Sequence, residues 1–445
     1  MSGKIARLQP KIRRERVAVI GSGAAGLAAA WSLSTRDEVR LFEAEASLGG
    51  HSNTVTIDGN SGPVAVDTGF IVFNPVNYPI LCRAFDCLGV ATQPSEMSFS
   101  LSCDNGGFEY SGRFPGGLAA QPFNLFAPRF WRMLSGLRRF YSEAMDDLPA
   151  LEASGETLAS YLERRAYPAV FRDDHLAPMA AAIWSQPQGE VTDMPAATLI
   201  RFFEAHGLLR LAGRPRWRTV TGGSREYVTR IAEQIALSGG SIETSCPVLA
   251  VRRSDTEVCL ELGSSRTERF DRLVLAVHGD QALRIIADPT VEERRVLGAF
   301  RYRPNRVLLH SDPALMPRRR SAWAAWNFIA PEGPRGPQGV TYWMNRLQSL
   351  NTERQIFVTL NPPFEPRADA VLAEFEYTHP VFDCAAISAQ RRLHGIQGER
   401  RTWFCGSYFG YGFHEDAFAS GVSAARLQGV LAPWQAEAVS RGAAE

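Results

Sequence analysis

Three glycines near the start of the 445-residue chain are spaced for work on a dinucleotide. Gly21, Gly23 and Gly26 stand in Val17-Ala18-Val19-Ile20-Gly21-Ser22-Gly23-Ala24-Ala25-Gly26, a GxGxxG between an apolar run and a helical one. In such a turn the first glycine makes the tight bend, the second lets the backbone approach a diphosphate, and the third lets helix and strand pack closely. The helix opening at Ala24 and Ala25 then presents free N–H groups and a positive dipole end to the diphosphate. Glu43, 22 residues after Gly21, closes the next apolar run. It is placed to accept a hydrogen bond from a ribose hydroxyl and to repel a 2′-phosphate. A bare GxGxxG is nonspecific, but strand, helix and acid in register point to a dinucleotide. A ligand-free packing turn would leave Glu43 unexplained.

These residues need a parallel strand–helix–strand unit, and the pattern supplies one: strands over 16–20 and 39–42 with a helix over 24–33. Alternation at 54–57 and 64–66 around Asp58-Gly59-Asn60 predicts a hairpin, and Asp104-Asn105-Gly106-Gly107 predicts another. Residues 123–210 read as helix-rich, and a further helix spans 224–237. Strand-like runs follow at 248–251, 258–260, 273–276, 306–310, 340–343, 356–360 and 403–405, and a closing helix at 417–430. Residues 1–15 are basic and unpatterned, as a mobile arm would be. The expected fold is α/β, a Rossmann-like domain of residues 1–75, 218–280 and 398–445 interleaved with an α+β substrate domain of 76–217 and 281–397.

Composition narrows the chemistry. Hydrophobic residues at 45% and charged residues at 21% suit a globular protein with a full core. A net charge of +1 gives no field for nucleic acid, which is excluded as a partner. Seven scattered cysteines without a CxxC suit reduced thiols in the cytoplasm and no metal site. Arg13-Arg14 before an apolar run resembles an export signal, but cleavage there would destroy the strand–turn–helix unit. Forty-six of the 48 basic residues are arginine; the lysines are Lys4 and Lys11, so none lies beyond Val17.

Beyond Glu43 runs Ala44-Glu45-Ala46-Ser47-Leu48-Gly49-Gly50-His51, and Asp67-Thr68-Gly69-Phe70 follows. Later come Thr221-Gly222-Gly223, Asp271-Arg272-Leu273-Val274-Leu275-Ala276, Trp403-Phe404-Cys405-Gly406-Ser407 and Gly412-Phe413-His414-Glu415-Asp416-Ala417. In this order the blocks resemble the flavin amine oxidase superfamily, which also holds phytoene desaturases and protoporphyrinogen oxidases. Tyr377-Thr378-His379-Pro380, Ala389-Gln390 and Gly412 to Asp416 resemble one bacterial branch of FAD-dependent oxidoreductases. Its members are often encoded near cyclopropane-fatty-acid-synthase-like methyltransferases. The resemblance implies non-covalent FAD, touched at Gly21, Gly23, Ala24, Ala25, Gly26, Glu43, Ala44, Gly49, Gly50, His51, Thr68, Gly69, Phe70, Val248, Ala276, Gly406, Ser407, Phe413, His414 and Ala417. It also implies that the last helix points its N-terminus at flavin N1 and O2.

The chain departs from that family at four points. The lysine that commonly holds a water against flavin N5 has no counterpart; Ser407 replaces an acid, His51 an arginine, and Phe413 removes the hydroxyl from one wall of the aromatic cage. The missing lysine points away from ordinary amine oxidation, toward desaturase-like hydride transfer from a C–H of an apolar, fatty-acyl substrate to flavin N5. An amine oxidase with an altered proton path and a non-catalytic FAD-binding assembly factor are the rivals. No second GxGxxG serves NAD(P)H, so oxygen, a quinone or a protein carrier must reoxidise the flavin.

Among chemical candidates, His414 and Glu415 are a titratable pair at the expected flavin edge, or a helix cap. Tyr342 and Trp343, with Asn345, either reach the flavin's far face or pack a core. His278 reads as a turn residue, His379-Pro380 as structural, and neither Cys384 nor Cys405 falls where a covalent flavin link is expected. Over 129–141, Phe130, Leu134, Leu137 and Tyr141 form one face among arginines. That helix either lies on an anionic bilayer, giving a peripheral contact on the membrane's inner face and a route for lipid, or packs the substrate domain.

Overall fold

The apolar run at 16–20 becomes the middle strand of a parallel sheet because nothing in it needs water on either face. The computed structural model describes residues 14–436 apart from 60, 61, 114, 115, 211, 264 and 335. Most of the basic arm and the tip of the Asp58-Gly59-Asn60 turn therefore lie outside the described residues. The five strands run in the order Thr402–Phe404, Arg272–Leu275, Arg16–Ile20, Glu38–Phe42 and Ser241–Glu243, all pairs parallel. Helix α1 (Ala24–Ser34) is buried at every residue. Its alanines let the closing helix come close: a Cβ on Gly421 would sit 2.1 Å from the Ala25 carbonyl oxygen.

A second sheet of seven strands is drawn from two distant parts of the chain. Its order is Val371–Val381, Arg301–His310, Phe357–Leu360, Gly339–Trp343, Trp326–Ala330, Phe99–Cys103 and Phe108–Ser111. Every pairing is antiparallel except that of Trp326–Ala330 with Phe99–Cys103. The mixed α/β architecture matches the sequence expectation. Val371–Val381 was not foreseen, and its residues show why: Glu374 and Glu376 are exposed, and Pro380 sits in the ladder. An edge strand accepts both charge and proline.

Helices α2 (Pro79–Leu88) and α3 (Pro128–Ser154) precede a run of shorter helices, and α4 (Arg225–Leu237) returns to the parallel sheet. The closing helix α5 spans His414–Leu427, starting three residues before the expected 417 and taking His414 to Asp416 into its first turn. The amphipathic face of α3 is turned inward. Phe130 is buried, and Leu134, Leu137 and Tyr141 line a cavity against the seven-stranded sheet. Arg129 bridges Asp104 and Asp174, while Arg139 bonds Glu143. Among the described residues no helix is long and apolar enough to cross a bilayer.

Candidate active site

The glycine turn is built as a cradle. Gly21 has φ +96°, donates its N–H to the Phe42 carbonyl at 2.8 Å, and has no room for a Cβ beside the Ala276 carbonyl oxygen at 2.8 Å. A Cβ on Gly26 would fall 1.8 Å from the Gly21 carbonyl oxygen. Gly23 differs: it caps α1 without any side-chain acceptor, and a Cβ there meets nothing within 4 Å. Open space faces the uncapped N–H groups at the helix end, where an anion is favoured. The Gly49-Gly50 pair closes over this turn, with Gly49 N–H 3.1 Å from the Ser22 carbonyl and Gly50 against Gly23 Cα.

Glu43 accepts hydrogen bonds from Ser22 N–H at 2.8 Å, Ser22 Oγ–H and Glu45 N–H at 3.0 Å. A carboxylate has about four lone-pair sites, so one remains for a ribose hydroxyl. Exposed Ala44 lies between, and the Cys246 N–H binds the Glu43 carbonyl just before Val248 opens its strand. Asp67 ties its hairpin to the start of α4 and to Gln348, in the connection that follows the strand Gly339–Trp343. It accepts from Thr54 Oγ1, Ser224 N–H, Ser224 Oγ and Gln348 Nε2, and burial raises its carboxyl to about 6. Thr68, beside it, bonds the Tyr377 hydroxyl at 2.7 Å. Gly69 passes so close to His51 that a Cβ would lie 2.1 Å from the His51 carbonyl oxygen.

At the other jaw, Ser420 Oγ receives the Gly406 N–H at 2.8 Å, and Ser407 begins a single short turn. Helix α5 opens at Phe413, whose N–H, like that of Tyr411, is taken by Asp416. Burial raises Asp416 to about 6. His414 stacks on Phe70 with centroids 3.8 Å apart, its Nε2 lying 2.6 Å from Tyr227 Oη and 3.1 Å from Ser52 Oγ. Desolvation holds that imidazole neutral, near 3. Ala417 follows inside the first turn, its N–H on the Phe413 carbonyl.

Two of the four catalytic candidates are placed elsewhere. Glu415 points away from the cavity and accepts the N–H groups of Ile80 at 2.8 Å and Leu81 at 3.0 Å, capping α2. The cap expected of Glu415 is for its own helix; there Asp416 takes the free N–H groups, and Glu415 serves α2 instead. Trp343 alternates with Tyr342 and falls on the opposite face of its strand, against Trp323, with Nε1 on Gln355 Oε1. Tyr342 does line the cavity, edge-on to Trp326. Asn345 holds the following turn through Arg354 and Ile356. Neither Cys384 nor Cys405 lines the cavity.

The spacing of residues did not reveal a second polar group. The rings of His51 and His379 lie 5.1 Å apart, those of His51 and His278 6.3 Å, with Tyr377 alongside. Burial and mutual repulsion push His51 and His278 down to about 4 and His379 to about 3. Ser52 and Tyr227 were equally hidden, since they meet His414 across 362 and 187 residues. Position offered one hint: Ser52 directly follows the Gly-Gly-His run, and Tyr227 lies in the first turn of α4.

Between the cradle, the seven-stranded sheet and α3 lies a cavity of about 1280 Å³. Its walls are Phe70, Ile71, Val72, Phe99, Met133, Leu134, Leu137, Met179, Ile183, Trp184, Phe202, Leu208, Leu209, Trp217, Trp326, Tyr342 and Leu360. His51, His379, Phe413 and His414 form its inner end, next to the glycine blocks. Pockets for single small ligands usually hold ~300–1,000 Å³, so this one has room for a ring system and an extended molecule together. Among the described residues that line it there is no aspartate or glutamate.

An uncapped diphosphate cradle on a parallel sheet, opening into a large cavity, is the arrangement of an FAD-dependent oxidoreductase. Comparison narrows the class. A family model described as flavin containing amine oxidoreductase matches residues 24–311, and the chain belongs to that family. The fatty acid isomerase from P. acnes that produces CLA superposes with a TM-score of 0.65 at 15% identity, covering 93% of this chain and 97% of that one. Wild-type putrescine oxidase bound to putrescine gives 0.65 at 16% identity, over 94% and 99%. Cyclohexylamine oxidase from Brevibacterium oxydans gives 0.67 at 17%, over 93% and 98%. At these identities the likeness is one of fold. No curated protein sequence matches the chain.

Proposed function

We propose that this enzyme dehydrogenates an apolar, long-chain substrate of fatty-acyl type, in the manner of a desaturase. The observation that carries the reading is the lining of the cavity, largely apolar and, among the described residues, without a carboxylate. An ammonium or polyamine substrate would have to leave water for a site that offers no counter-charge and includes three arginines, an unfavourable exchange. An acyl chain gains about 25 cal/mol for each Å² of apolar surface it buries there.

Bound FAD supplies a two-electron acceptor, so the reaction class is loss of a hydride equivalent from a C–H bond. The chain's own residues do the rest. Gly21 to Gly26 and Glu43 hold the dinucleotide, and Tyr342, Trp326 and Phe413 wall the reacting end against water. The accompanying proton needs an acceptor, and no lysine exists beyond residue 11 to take it. His379 and His414 line the inner end as neutral imidazoles, but burial lowers both to about 3 and leaves them weak bases, so neither is assigned the proton.

The rival from the family is amine oxidation. Anaerobic mixing separates the two: long-chain acyl compounds should bleach the flavin absorbance, while putrescine, spermidine and benzylamine should not. Rapid bleaching by an amine would overturn the proposal. In cells, deletion should alter the acyl-chain profile, and an unchanged profile would count against a lipid substrate. A non-catalytic role would be supported if neither class reduced the flavin.

A further inference from the structure

The cavity is not apolar throughout. On α3, one turn beyond Met133, Leu134 and Leu137, come Arg138, Tyr141 and Ser142, related by i, i+3 and i+4 and so on one face. Arg214, from the segment leading to the parallel sheet, joins them in lining the cavity, and its guanidinium approaches the Tyr141 hydroxyl. Two neighbouring arginines of this helix have acids: Arg129 has Asp104 and Asp174, and Arg139 has Glu143. Arg138 and Arg214 have no carboxylate within ion-pair distance among the described residues; Arg214 donates instead to the Arg210 carbonyl. Both are exposed, at the rim of a pocket whose interior is oily.

We infer that Arg138 and Arg214, with Tyr141 and Ser142, form a subsite for the anionic head of an acyl substrate whose chain runs along Leu137, Leu134 and Met133. Two guanidiniums supply planar paired donors that suit a carboxylate or a phosphate, and the two hydroxyls can complete its shell. The arrangement is amphipathic in the same sense as the ligand. The head stays hydrated beside two cations while the tail is desolvated, and the anchored head sets which carbon reaches the inner end. This inference rests on the acyl reading above, and the experiment keeps the two separable.

The test uses the FAD-loaded, oxidised protein and quenching of its intrinsic fluorescence, since Trp184, Trp217 and Trp326 line the cavity. The probes are dodecanoate, dodecanol and 1-dodecanoyl-glycerol-3-phosphate below their aggregation limits, with benzylamine as the control. Dodecanoate should bind at least tenfold more tightly than dodecanol. Arg138→Gln and Arg214→Gln should each weaken dodecanoate roughly tenfold, leave dodecanol unchanged, and leave FAD content unchanged. Lysine at either position should restore part of the loss, because charge returns without the fork. If the phosphate probe binds tighter than dodecanoate and shows the same arginine dependence, the head is that of a membrane lipid; the reverse order assigns a free acid. Equal binding of dodecanoate and dodecanol, unaffected by the substitutions, would overturn the subsite and leave the acyl reading standing. Binding of benzylamine but of no dodecyl compound would overturn the acyl reading itself.

Discussion

Gly23 and Gly26 lie three residues apart in one turn, yet replacing each with alanine should produce opposite results. At Gly26 the new Cβ would stand 1.8 Å from a backbone oxygen and 2.9 Å from its carbon. Backbone cannot swing aside as a side chain can, so helix and strand must separate by more than an ångström. Overpacking of this severity costs about 3 kcal/mol or more, which in a chain of this length lowers Tm by roughly 3 °C or more. At Gly23 the Cβ meets no protein atom and the backbone is ordinary, with φ −64° and ψ 179°. Gly23→Ala should therefore leave the apoprotein within about 1 kcal/mol of wild type. Its methyl group would occupy the space in front of the helix end, where the diphosphate must approach. Losing one charge-assisted N–H contact costs about 1.5–3 kcal/mol, or roughly a 10- to 150-fold weaker FAD. Thermal melts of both apoproteins and titration with FAD by flavin fluorescence check the contrast. An FAD affinity unchanged in Gly23→Ala, or an apo Tm as low as that of Gly26→Ala, would refute the placement of the diphosphate.

Three further outcomes are expected. Glu415→Ala should remove both acceptors at the start of α2 and cost about 1–2 kcal/mol in urea melts, without shifting the flavin spectrum. A lost or shifted spectrum at unchanged stability would return Glu415 to the flavin edge. His310 is buried between Thr359 and the Asp312 N–H, and desolvation lowers it from 6.5 to about 4. The unfolded chain therefore binds the extra proton between those values, so this histidine's contribution is intact above pH 6.5 and is lost as pH falls toward 4. By pH 5 the loss is about 2 kcal/mol, and His310→Gln should flatten the difference between melts at about pH 7.5 and 5.0 by that amount; parallel pH profiles would contradict the assignment. Trp343→Phe should keep the flavin reduction rate of wild type in stopped-flow mixing, whereas Tyr342→Ala, which opens the cavity wall, should slow it; equal slowing would mean that Trp343 reaches the site.

The cradle was legible because its parts are consecutive: Gly21 to Gly26 and Glu43 declare strand, turn, helix and acid within one short stretch. The inner end was less so, because its contacts join residues hundreds of positions apart. Nothing near His414 announces Tyr227 or Ser52, and nothing near His51 announces His379. Tyr342 and Trp343 show a different limit. Their strand has a period of two, which forbids both side chains from facing one cavity. On α3 the apolar stripe was read correctly as a stripe, but periodicity says only that a face is covered. Bilayer, core and cavity all satisfy it, and Arg138 within the lining is what separates the last from the others.

The order of synthesis gives the parallel sheet a further meaning. The strand Thr402–Phe404 pairs with Arg272–Leu275, and α5 packs on α1, so the nucleotide cradle borrows its far wall from about 380 residues downstream. At ~5–20 residues per second, the ribosome needs roughly 20–80 s after finishing α1 before α5 exists. During that interval the alanine face that α5 will cover has no partner. Cofactor loading must then be a late event, following emergence of residues 402–427 rather than accompanying the N-terminal half. A nascent chain stalled near residue 400 would hold every glycine of the turn and still be unable to keep FAD.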